Sequence, residues 1–295
     1  MPNEKHIFLN EPIPSAVALY KVIAYGEEIW RELDEKRANY QNDLKFACAH
    51  NFFQKTLMAA HSILDIIRPI TQEEVSLKSP YNDFISAMVI TRSIFETYVN
   101  MNYLFNPNLG DEEKCFRLLI YEKNSFNQLL NFKKVEIKGK EDVSEDEKKE
   151  TEDTKNEVDN FIMKIKKTNY YKKLGKSQKK LAVNPEKWSI HSRKERENLT
   201  DFNESQRIYL YGLFSAYSHA EPYGITMISM MRNQDEIYSQ IYLPLLYTEM
   251  CLTFTIQLYC NVFGLKLRDD IEKRIGKLNG FKSQYVWQLK GSKID

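Results

Sequence analysis

Phe84–Phe105 reads FISAMVITRSIFETYVNMNYLF, an apolar stretch free of Gly and Pro whose only charges are Arg92 and Glu96. Residues four apart stack on one helix face, so this pair forms a polar stripe on a helix that otherwise asks for burial. Residues 207–222, RIYLYGLFSAYSHAEP, repeat the device with Tyr211, Ser215 and His219 at the same spacing. Polar groups are costly to bury without partners. The two stripes are therefore expected to meet each other or to line a cleft.

Working outward, the 295-residue chain holds only 10 Gly and 9 Pro, which predicts long helices and few tight turns. Its 42% hydrophobic and 28% charged residues are those of an ordinary globular protein, long enough to bury a sizeable core. A net charge of +1 exerts no global pull toward nucleic acid or anionic lipid. The four cysteines, Cys48, Cys115, Cys251 and Cys260, lack CxxC spacing and sit in apolar patterns. All four are expected as buried, reduced thiols of a cytoplasmic protein. The start, MPNEKHIFLNEPIP, lacks the continuous apolar core of a signal peptide. Residues 241–263 are long enough to cross a bilayer, but Pro244, Glu249 and Gln257 interrupt them. A central acid is costly in lipid, so a buried core helix is expected there and no membrane contact.

Helix signals run along the whole chain. Pro12 and Pro14 precede Ser15, read as an N-cap for a helix carrying Val17, Ile29 and Leu33. A second helix spans about 43–68 and stops at Pro69; Thr71 and Glu74 resemble a capping box. Ser79-Pro80 starts the long apolar helix, and residues 111 to about 134 follow with Cys115, Phe116, Leu119 and Leu130 inward. Residues 136–160 are dominated by Lys, Glu and Asp, with Ser144 and Glu147 at capping-box spacing. They predict an inserted charged helix that projects from the body and docks again at Val158, Ile162 and Ile165. Asn184-Pro185 opens a short helix bearing Trp188, and Gly264 closes the 241–263 helix. The chain reads as a single all-α domain over residues 1–295, a multi-helix bundle with a projecting charged insertion.

Several chemistries are unsupported. No histidine follows a Glu by three residues, as a di-iron bundle requires, and eleven residues of helix set His50 and His61 about 16 Å apart. No metal and no cofactor is expected. Phosphate-cradling GxxxxGK[ST] and GxGxxG loops and the GxSxG elbow are absent. A basic run containing Lys166, Lys167, Lys172 and Lys173 is interrupted by Tyr170 and Tyr171. Such a mixture can hold phosphates and stack bases, giving candidate RNA or nucleotide contacts, although a solvated linker satisfies the same composition.

The stripes remain. One reading is a buried network of Arg92, Glu96, Ser215 and His219 that fixes helix register. The other makes His219 a general acid–base, oriented by Glu96, with Arg92 holding an anion such as phosphate and Tyr211 and Trp188 lining the pocket. His219 falls in the last turn of its helix, where backbone carbonyls favour a protonated ring.

At these residues a resemblance enters. Arg92-x-x-x-Glu96 in an apolar helix, a charged insert, Trp188, Arg193, then Tyr209 through Ser215-x-x-x-His219 resembles an uncharacterised bacterial family of all-α proteins, over roughly residues 80–265. That helical layout is in turn similar to HEPN proteins, nucleotide- and RNA-processing modules of phage defence and toxin–antitoxin systems. HEPN ribonucleases carry an Arg about one helical turn before the catalytic His. Here the nearest Arg preceding His219 is Arg207, which departs from that pattern. The resemblance implies a helical defence or stress protein that binds a ligand or nucleic acid, with a metal-independent ribonuclease or nucleotide-processing enzyme using His219 as the catalytic alternative. A homodimer through an apolar helix, or a scaffold recruiting a partner through the charged insertion, completes the expectations.

Overall fold

A computed structural model describes residues 14–40, 43–67, 83–140, 142–219, 222, 224–226 and 234–278. The described residues form helices and no strand, so the all-α expectation holds. The helices are α1 (Pro14–Asp34), α2 (Leu44–Ile67), α3 (Phe84–Phe105), α4 (Asp111–Lys138), α5 (Glu145–Lys167), α6 (Asn169–Lys173), α7 (Lys176–Val183), α8 (Arg193–Glu197), α9 (Glu204–Ser218) and α10 (Gln234–Phe263). A 3₁₀ turn, Arg37–Tyr40, joins α1 to α2, and residues 269–278 are helical. Backbone contacts divide the chain into two compact units, residues 1–102 with 197–295 and residues 103–196. The first junction falls inside α3, where no Gly or Pro marks it.

In the first unit α1, α2 and α10 pack on one another. Their shared core includes Leu19, Ile23, Phe53, Ala60, Leu252 and Ile256, all fully buried. Gly26 permits the approach: a Cβ there would lie 2.8 Å from Leu57 Cδ2 and 3.5 Å from Ile256 Cδ1. α3 meets α10 at buried Thr91, whose Oγ1 lies 3.0 Å from Thr248 Oγ1 and 3.3 Å from the Pro244 carbonyl oxygen. Phe202 fills the gap between Phe95, Tyr98 and Phe254 with edge-on ring contacts.

Residues Gln240–Phe263 of α10 are long and apolar enough to cross a membrane, and most of them are buried inside the structure. Buried Glu249 is ion-paired with Arg274 of the last helical segment. The helix ends as the sequence predicts. Gly264 has φ +65°, a left-handed conformation that glycine adopts without penalty. The Leu265 N–H then donates to the Cys260 carbonyl at 2.9 Å, closing a Schellman turn.

The second unit is built on an α4–α5 pairing. Ser144 and Glu147 form the predicted capping box at its turn. Thr154, Val158, Phe161 and Ile165 are the buried side of α5, while most of residues 142–153 are exposed. The charged insertion is thus one arm of a hairpin whose distal half is solvated. Lys133–Glu150 (3.1 Å) and Lys140–Glu147 ion pairs strap its two arms. A small core of Phe116, Ile120, Ile165, Ala182 and Ile190 lies below. Fully buried Lys123 gives its three protons to the carbonyls of Ala182, Asn184 and Lys187, pinning the end of α7 and the turn that follows it.

Three local readings differ from the structure. Cys115 is exposed, whereas Cys48, Cys251 and Cys260 are buried; the apolar periodicity of α4 runs through Phe116 and Ile120 instead. Ser15 lies inside α1, which begins at Pro14. Trp188 is on no helix: Asn184 Oδ1 accepts from Glu186 N at 2.9 Å, making a turn where a helix start was expected. In the adjoining run 191–197, Glu197 is buried and His191 half-buried. The expected capping box at Thr71 and Glu74 and the Ser79-Pro80 start lie outside the described residues.

Candidate functional site

The two polar stripes meet at the guanidinium of Arg92, in the first unit. α3 places Arg92 and Glu96 one turn apart, and Arg92 Nε donates to Glu96 Oε1 at 3.2 Å. From α9, Tyr211 and His219 approach the other edge. Nη2 donates to Tyr211 Oη at 3.3 Å, Nη1 lies 3.1 Å from His219 Nε2, and the guanidinium carbon sits 4.8 Å from the Tyr211 ring centre. Cation–π contact and three directed N–H groups fix the arginine plane. Its side chain is only 15% exposed, while Glu96 is 48% exposed and His219 faces solvent.

Donor chemistry decides the state of the imidazole. A guanidinium has only hydrogens to give, so a hydrogen bond to His219 Nε2 requires that nitrogen to be bare. The neutral ring then carries its proton on Nδ1. The sequence expectation of a protonated ring rested on the helix end alone. His219 does cap α9 (φ −106°, ψ 9°), its N–H donating to the Ser215 carbonyl at 3.0 Å.

Glu96 reaches Arg92, and no bond from it to His219 is formed among the described contacts. Any orienting effect on the ring passes through the guanidinium. Ser215 lies one turn before His219, buried, and its Oγ has no hydrogen-bond partner. Asn203 and Gln206 form a capping box that fixes the start of α9. Beyond the site, Gly224 packs on the backbone of α9: a Cβ there would stand 2.8 Å from the Ala216 carbonyl oxygen. Sequence reading passed over this glycine, whose only signal is its place just after the helix-ending HAEP.

Trp188 belongs to the second unit, edge-on to Tyr103 and Tyr121, with the Arg196 guanidinium 4.1 Å over its ring. Tyr170 packs on Phe116 at 4.9 Å and, with Tyr171, against the small core. Burial pushes the Tyr170 hydroxyl up to about 12. Lys166, Lys167, Lys172 and Lys173 stay exposed. The lysines therefore present charge, and the tyrosines are partly spent on packing. His191, not singled out as a site residue, has Nδ1 3.2 Å from Tyr103 Oη, and burial holds its pKa below the ordinary imidazole value. Among the described residues no three His, Cys, Asp or Glu side chains gather closely enough to hold a metal.

An all-α chain with an arginine bridging two helices defines no reaction class by itself. Residues 49–237 match the model of a family of unknown function (DUF5677), and the chain belongs to that family. The match takes in Arg92, Glu96, Tyr211, Ser215 and His219 together. No curated protein and no solved structure matches the chain.

Proposed function

We propose that the Arg92 cluster binds the phosphate group of a nucleotide or an RNA chain, making this a phosphate-ester-binding helical module. The 3.1 Å approach of Arg92 Nη1 to a solvent-facing His219 Nε2 carries the reading. A neutral nitrogen is a weak partner for a guanidinium; a phosphate oxygen is a stronger one, and it can enter from the solvent side. Tyr211 keeps the guanidinium plane fixed while its partner changes, so little ordering is left for the ligand to impose.

A catalytic reading is favoured by one feature: the bare Nε2. When a phosphate takes over Nη1, that lone pair is released beside the bound ester. It is then placed to accept a proton from a ribose hydroxyl, as metal-independent RNA cleavage needs.

The test is calorimetric titration with inorganic phosphate, adenosine monophosphate and a short single-stranded RNA. Wild-type protein binds all three saturably. Arg92→Ala weakens each by about tenfold or more, as expected for losing a charge-assisted hydrogen bond, with an unchanged melting temperature. Absence of saturable binding to the wild type overturns the reading. Separately, His219→Ala abolishes RNA cleavage while sparing binding; if cleavage persists unaltered, His219 is no catalyst.

A further inference from the structure

A second site lies in the first unit, where the 3₁₀ turn Arg37–Tyr40 meets the start of α2. A pocket of about 330 Å³ opens there, lined by Arg37, Tyr40, Asp43, Phe46, His50 and Asn51 among others. That volume is at the lower end of small-molecule pockets. We propose that it binds a small planar aromatic carboxylate.

The aromatic wall argues for a flat ring. Tyr40 stacks on Phe46 (4.5 Å, 5°), Phe46 on His50 (5.0 Å, 14°) and His50 on Trp30 (5.0 Å, 20°). Phe263 closes the stack edge-on against Tyr40 and Phe46. Four rings in near-parallel register make a rigid surface that loses little entropy on accepting another planar group.

Charge argues for the carboxylate. Arg37 is the cation of the lining, its side chain is 70% exposed, and its ion-pair partner Asp34 is 3.8 Å away. A planar guanidinium fork matches a planar carboxylate through two parallel N–H donors. The N-terminus of the long α2 adds positive potential at the same place. Asp43 is already committed there, its Oδ1 accepting from the Phe46 N–H at 3.1 Å.

The third observation is a group of buried polar atoms behind the wall. His50 is 2% exposed; its Nδ1 pairs with Tyr259 Oη at 2.7 Å. Its Nε2 stands 3.2 Å from Asp34 Oδ1. Trp30 Nε1 has no hydrogen-bond partner. Burial holds His50 below its ordinary pKa, so the ring is neutral and its spare edge polar.

Calorimetric and ligand-observed NMR titrations with benzoate, naphthoate and cyclohexanecarboxylate provide the test. The aromatic acids bind saturably, and cyclohexanecarboxylate at least about tenfold more weakly. Arg37→Ala, an exposed position, weakens both aromatic acids about tenfold or more without shifting the melting temperature. Tyr40→Leu weakens naphthoate more than benzoate. Arg92→Ala leaves this binding unaffected, separating it from the phosphate reading. The proposal is overturned if no aromatic acid binds the wild type, if the saturated acid binds equally, or if Arg37→Ala has no effect.

Discussion

At the scale of single residues, Arg92 does what no lysine can. One planar group addresses Glu96, Tyr211 and His219 through three different nitrogens while lying over an aromatic face. An ammonium gives all its protons from one nitrogen, so it cannot lie flat over the ring while addressing partners along both edges of a plane. Histidines set a second residue-scale behaviour. Burial holds His50 and His191 below the ordinary imidazole value, so the folded chain refuses a proton that the unfolded chain accepts near pH 6.5. Below that value the unfolded state binds more protons, and stability falls as pH falls; above it the contribution is fully present. Glu122 and Glu249 act in the opposite sense, since burial raises both carboxyls. The comparison with a variant isolates the imidazole: in urea titrations between about pH 7.5 and 5.5, His50→Phe should lose less stability than wild type. Parallel pH curves would refute the assignment.

Elements are where sequence and structure agree best, and the disagreements are instructive. Gly264, the Ser144–Glu147 box and the long α3 were legible because each depends on residues within one turn of itself. Trp188 was misplaced because Asn184-Pro185 opens a turn as readily as a helix, and buried Lys123 on α4 decides between them by holding three nearby carbonyls. Cys115 was assigned inward because a four-residue apolar spacing cannot tell a stripe's edge from its centre. Glu249 shows a tertiary partner at work: it is 4% exposed and paired with Arg274, 25 residues later. Removing the arginine strands a buried acid. Arg274→Ala should therefore cost about 3 kcal/mol in chemical denaturation, the low end for a broken buried pair. Glu249→Leu with Arg274→Met should recover much of that loss, and a single variant as stable as wild type would contradict the account.

On the scale of the whole molecule, the all-α class followed from scarce Gly and Pro and from long apolar periods. The two compact units did not, because their first junction lies within an unbroken helix and hydropathy patterning carries no mark of it. Residues 103–196 form a continuous unit with a buried cluster of their own. Expressed alone, this segment should give a helical circular dichroism spectrum and a cooperative melt; a featureless, non-cooperative curve would show that it needs the rest of the chain. The convergence of the stripes was legible because two polar sets on apolar helices have few places to go. What the sequence could not convey was their order of contact, with the arginine standing between acid and imidazole.

The tautomer of one ring tests this arrangement most directly. Nitrogen-detected NMR of His219 at mildly alkaline pH should show a proton on Nδ1 and a bare Nε2, with both signals moving on addition of inorganic phosphate and unmoved by it in Arg92→Ala. A ring protonated on Nε2, or one indifferent to phosphate, would contradict it.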